Sequence, residues 1–112
     1  MANVLIIGAG GIGQRHIRGF LKTGRARVSI VEPVAERRAA VQRDYPIERA
    51  EADLAAVDLA TVDLAVICVP AHAHIPIAQR CADAGVAFLL EKPLATNFDG
   101  VDQLLRTVAE RR

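Results

Sequence analysis

The stretch Gly8-Ala9-Gly10-Gly11-Ile12-Gly13 constrains this chain more than any other. It ends a predicted strand, Asn3 to Ile7, whose apolar run is Val4 to Ile7, and leads into a helix-forming segment from about Gly11 to Thr23. In register it reads G-x-G-x-x-G, set between a predicted strand and a predicted helix. Each glycine then has a physical purpose. The first allows a tight turn, the second lets backbone approach a pyrophosphate, and the third removes a side chain that would hold the helix off the strand. An anion placed there meets free N–H groups and the positive end of the helix dipole. A glycine-rich turn can also serve the fold with no ligand at all.

A second feature separates these readings. The next β-branched run, Arg27 to Val31, ends in Glu32, which stands 19 residues beyond Gly13. An acidic residue about 20 positions on accepts hydrogen bonds from an adenosine ribose in dinucleotide-binding folds. The expectation is therefore a dinucleotide site, with Gly8, Gly10, Gly11, Ile12 and Gly13 around the pyrophosphate and Glu32 on the ribose. A carboxylate repels a ribose 2′-phosphate, so NAD is expected over NADP. Arg37 and Arg38 keep that choice open: they could flank the adenine or help accept a phosphate, or stand as solvated helix charges.

Along the rest of the chain, apolar runs of four to six residues alternate with longer amphipathic stretches. No repeat or Gly/Ser-rich linker interrupts them. That alternation predicts an α/β fold, a doubly wound parallel sheet in three α/β/α layers, formed by residues 1–112 as one domain. Beyond the first strand and helix, with Ile12, Ile17, Phe20 and Leu21 inward and Gly24 capping, the pattern predicts a helix over Val34 to Asp44. It predicts a weak strand near Pro46 to Arg49, a short helix or turn around Asp53 to Val57 and a strand over Leu64 to Val69. A helix from Pro76 capped by Gly85 and a strand over Val86 to Leu90 follow. A last helix is capped by Thr96 with Asp99 as acidic partner, its stripe being Phe98, Val101, Leu104, Leu105 and Val108.

Composition excludes some functions. With 52% hydrophobic residues in 112, one real core can form, and the formal charge of +1 offers no surplus for nucleic acid or an anionic membrane. The early apolar run is far too short for a signal-peptide core or a membrane span, so a cytoplasmic protein is expected. Cys68 and Cys81 lie in apolar stretches with no close-spaced partner and read as reduced, buried thiols. His72 and His74 form an H-x-H pair without a third ligand, so no metal is expected.

The stretch from Val66 to Thr96, "VICVPAHAHIPIAQRCADAGVAFLLEKPLAT", goes further. Taken with "GAGGIGQRH", it resembles the glucose-fructose oxidoreductase and inositol dehydrogenase family, Gfo/Idh/MocA. The resemblance rests on the glycine motif with His16 three residues beyond it, on Pro70 followed by His74, and above all on Glu91-Lys92-Pro93 after the fifth strand. It implies an NAD-dependent oxidoreductase acting on a sugar, polyol or related metabolite. It also implies that the loop at Val69, Pro70 and His74 runs along the nicotinamide, and that Lys92 is the catalytic residue reaching toward the reacting carbon. Glu91 is expected to orient Lys92 or cap backbone, His16 to pack or hydrogen-bond within the fold, and His72 to be exposed. Lys92 is one of two lysines among 14 basic residues. A lysine at a strand end can stabilise negative charge as hydride moves; most lysines are simply solvated.

Members of that family carry a carboxyl-terminal α+β domain that supplies substrate contacts. The expectation is a cofactor domain that meets its small-molecule substrate through a domain lacking here, and that binds cofactor without turnover alone. The alternative is a stand-alone dinucleotide-binding or sensory module whose sheet edge is covered by another chain, a homo-oligomer included. A two-domain semialdehyde or dihydrodipicolinate reductase would share the glycine motif but not the Glu-Lys-Pro segment.

Overall fold

A computed structural model of the chain describes residues 1–91 and 100–110. Strand β1 (Ala2–Ile7) leads through the glycine turn into α1 (Gly11–Thr23), followed by β2 (Ala26–Val31), α2 (Ala35–Asp44) and β3 (Ala50–Glu51). After two single 3₁₀ turns come β4 (Leu64–Ile67), α3 (His74–Asp83), β5 (Ala87–Leu90) and α4 (Val101–Glu110). The strands pair in the order β3-β2-β1-β4-β5, all parallel. The chain starts at the centre, winds outward to β3, then returns to the other side of β1 for β4 and β5.

Side-chain alternation splits the core across the two faces of this sheet. Leu5, Ile7, Val31, Ala65 and Ile67 pack with Ile75, Ala78, Cys81 and Ala82 of α3 and Leu104 of α4. Val4, Ile6, Val28, Ile30 and Val66 pack on the other face with Ile17 of α1 and Val41 of α2. Central strands covered on both faces must be apolar at successive positions, which is why β1 and β4 read as unbroken apolar runs. The expected doubly wound, three-layer architecture is thus the observed one. Helices α1 and α3 end, as expected, at Gly24 and Gly85, both with positive φ.

Several local expectations need correction. The third strand forms at Ala50–Glu51 rather than Pro46 to Arg49, although Glu48 N–H already donates to Val28 O at 2.8 Å. Pro46 has no N–H to give to a ladder, so pairing waits for the residues beyond it. Helix α3 begins at His74, two residues before Pro76. A first-turn N–H has no intrahelical partner, so Pro76 costs nothing there. Ile12 does not face inward but is 52% exposed. Five residues separate it from Ile17, about 140° around the helix, whereas Gly13, Ile17 and Leu21 repeat every four. Leu105 is likewise exposed, at the margin of the α4 stripe formed by Val101, Leu104 and Val108. Cys81 is buried, but Cys68 is only partly so. The expected cap Thr96, with Phe98 and Asp99, lies outside the described residues, as do Lys92 and Pro93. No helix among the described residues is long and apolar enough to cross a membrane.

Candidate functional site

The glycine turn sits at the carboxyl end of the central strand and is held from both sides. Gly8 N–H donates to Val31 O of β2 at 2.8 Å, and Cys68 N–H donates to Ile7 O at the same distance. Gly8 has φ +94°, which only glycine adopts freely, and a Cβ there would lie 2.8 Å from the Cys68 carbonyl oxygen. At Gly13 a Cβ would come within 2.0 Å of Gly8 O, so this residue sets how closely α1 approaches β1. Gly10 and Gly11 differ. A Cβ on Gly10 meets only an Arg37 nitrogen at 4.0 Å, and one on Gly11 meets nothing. Their bareness is thus not required by packing and leaves an open cradle. Gly10 caps α1 with no side-chain acceptor, and no acidic residue stands in the first turn. The first N–H groups of the helix therefore face an opening suited to an anion.

Glu32 lies beside this cradle, 2% exposed. Its Oε1 accepts from Ala9 N–H at 3.0 Å and its Oε2 from Val34 N–H at 2.9 Å. Arg37, half-exposed, reaches Oε1 at 3.4 Å, and Arg38 donates to the Glu32 carbonyl at 2.8 Å. A buried charge requires such partners. Glu32 therefore ties the glycine turn to the turn that opens α2, and both arginines are engaged at the acidic residue rather than standing free. Gln14 closes the other flank, donating to Ala9 O at 2.9 Å.

On the opposite side of β1, the end of β4 runs through Cys68 and Val69 to Pro70. His74 is 2% exposed, with Nε2 2.7 Å from Val69 O, so it braces this loop from below. His72 is exposed, as expected. Burial, joined by the negative charge of Glu91, pushes the Cys68 thiol up to about 11. Burial pushes Cys81 up to about 11 as well, with Arg80 opposing. Neither thiol is poised as a nucleophile at neutral pH.

At the end of β5, Glu91 N–H donates to Ile67 O at 3.2 Å, while its Oε1 accepts from His16 Nε2 on α1. The expected bond of His16 within the fold thus has a specific partner 75 residues away, which spacing along the chain could not reveal. Likewise, the backbone partners of Glu32 have no signature in residue type. Among the described residues, no group of three or more His, Cys, Asp or Glu could hold a metal ion. A cavity of about 250 Å³ opens elsewhere, lined by Asn3, Arg27, Ser29, Arg49, Asp58 and Thr61 among others; no residue of the glycine turn borders it. The cradle is an open cleft at the strand ends, where ligands of open α/β sheets bind.

A parallel sheet of this order, with a glycine cradle at its first turn and a buried acid ending its second strand, defines a Rossmann-type domain. Residues 2–112 match the Gfo/Idh/MocA model, described as an oxidoreductase family with an NAD-binding Rossmann fold, and the chain belongs to that family. It is 38% identical over 92 residues to inositol 2-dehydrogenase of Corynebacterium glutamicum, covering 80% of this chain and 27% of that protein. It resembles the solved UDP-N-acetylglucosamine 3-dehydrogenase GnnA of Acidithiobacillus ferrooxidans, with 29% identity, a TM-score of 0.83, and coverage of 97% and 35%. Levoglucosan dehydrogenase, solved with NADH and levoglucosan, superposes with a TM-score of 0.85 at 26% identity, covering 98% and 32%. The chain spans about a third of the length of these relatives.

Proposed function

We propose that this chain binds NAD across the carboxyl ends of its strands, as the cofactor domain of an oxidoreductase acting on a hydroxyl-bearing carbon of a sugar, polyol or related metabolite. The observation that carries this reading is the open cradle at Gly10 and Gly11 beside the buried Glu32 carboxylate. Gly8, Gly10, Gly11, Ile12 and Gly13 present backbone to the pyrophosphate. Glu32 keeps lone pairs for the ribose hydroxyls, and Arg37, above Gly10, closes over the adenosine. Val69, Pro70, His74 and Glu91 border the nicotinamide half. When bound, the nicotinamide supplies the two-electron acceptor or donor for the hydride.

Lys92 follows Glu91 directly and is the residue assigned to the chemistry. Its ammonium holds the substrate oxygen by a hydrogen bond and stabilises the charge that develops there. Substrate contacts come from outside these 112 residues, so the chain alone binds cofactor without turnover. The relatives acting on inositol, a UDP-sugar and levoglucosan support the substrate class.

Isothermal titration with NAD and NADP tests the reading. NAD is expected to bind more tightly, because a 2′-phosphate would face the buried Glu32 charge. Glu32→Gln keeps the shape but leaves one acceptor oxygen for two backbone N–H groups, and is expected to weaken NAD binding roughly tenfold. Undetectable binding of both dinucleotides to the unsubstituted chain sinks the proposal.

A further inference from the structure

The sheet order assigns its two sides to different halves of an extended ligand. Glu32 ends β2 on one side of the glycine turn; β4 and β5 lie on the other. A dinucleotide with its adenosine at Glu32 and its pyrophosphate at the central turn must lay its second nucleoside toward β4 and β5. On that side one polar side-chain pair, His16 with Glu91, bridges the glycine-turn helix to the last strand.

Both partners come from constrained backbone. His16 projects from α1, which is seated by the contact of Gly13 with Gly8 and by Ile17, a fully buried residue. Glu91 is still held by the ladder through Ile67 O. The side chains are 23% and 27% exposed, so the pair is largely shielded from bulk water. Such a bond, between rigid elements and partly desolvated, fixes geometry better than a pair of mobile surface charges. It also fixes the point from which the chain departs toward Lys92.

We propose that His16 is a positioning residue: by gripping Glu91 it locks the end of β5 to α1 and shapes the nicotinamide half of the dinucleotide site, leaving the adenosine half untouched. The proposal rests on the dinucleotide reading above. Its test compares two probes on the 112-residue chain, NADH and ADP-ribose, which lacks the nicotinamide. For His16→Ala and for Glu91→Ala, NADH affinity is expected to fall roughly tenfold and ADP-ribose affinity by less than about twofold. His16→Gln, whose side-chain N–H can replace Nε2, is expected to recover most of the NADH affinity. Thermal melts followed by circular dichroism establish that each variant is folded. Equal losses for both probes, no loss for either, or no recovery in His16→Gln overturns the proposal. If the unsubstituted chain binds neither probe, the dinucleotide reading itself falls and takes this inference with it; binding of both with unaltered discrimination in the variants defeats the inference alone.

Discussion

Gly13 and Gly10 are one letter repeated, yet the structure gives them opposite work. A Cβ at Gly13 would sit 2.0 Å from a backbone oxygen that cannot swing aside, while one at Gly10 meets only the mobile tip of Arg37 at 4.0 Å. Gly13→Ala must therefore push α1 off β1, at an expected cost of about 2–4 kcal/mol in urea unfolding. Gly10→Ala should stay within about 1 kcal/mol of the original stability, since its φ of −75° suits alanine. It should nevertheless weaken NAD binding, because the methyl group occupies the cradle. A stable Gly13→Ala chain would contradict the packing argument. These roles were legible in the sequence, because spacing alone places the third glycine over the first. The contacts of Glu32 with Ala9 and of His16 with Glu91 were not, because they join residues 23 and 75 positions apart through backbone or through a fold not yet formed.

Legibility of the elements follows from what covers them. Strands β1 and β4 announce themselves because both their faces are buried along Val4 to Ile7 and Ala65 to Ile67. Strand β2 does so by its alternation of buried Val28 and Ile30 with exposed Arg27 and half-buried Ser29. By contrast, β3 is two half-buried residues, Ala50 and Glu51, paired on one side, and carries no apolar run. The buried faces also carry a titration. Cys68 at the end of β4 and Cys81 on α3 are both raised from 9.0 to about 11, which favours the neutral thiol in the folded state. Their contribution to stability is whole below the unfolded value near 9 and drains away as pH rises toward 11, when the unfolded chain ionises first. The urea midpoint should accordingly decline from pH 9 to 11, and a Cys68→Ala/Cys81→Ala chain should decline less over the same interval. Identical slopes for the two chains would show that the thiols take no part.

Across the whole molecule, the two faces of the sheet are unequally clothed. Phe88 and Leu90 of β5 pack toward α3 and α4, but Ala87 and Leu89 point to the other face, which α1 and α2 cover only as far as β4. Leu89 is 47% exposed, and among the described residues β5 has β4 as its one strand neighbour. An apolar edge strand with unpaired backbone groups is a template for another strand. The 112-residue chain is therefore expected to self-associate along β5 as its concentration rises. Leu89→Lys should suppress this while leaving the melting temperature nearly unchanged, because an exposed side chain contributes little to the core. Phe88→Lys, one residue earlier and facing inward, should instead unfold the chain, since it buries an unpaired charge. Sedimentation velocity over a concentration series reads the first effect and a thermal melt the second. A Leu89→Lys chain that associates as readily as the original would mean that the β5 edge is not the contact, and that the exposed Leu105 on α4 is the next residue to substitute.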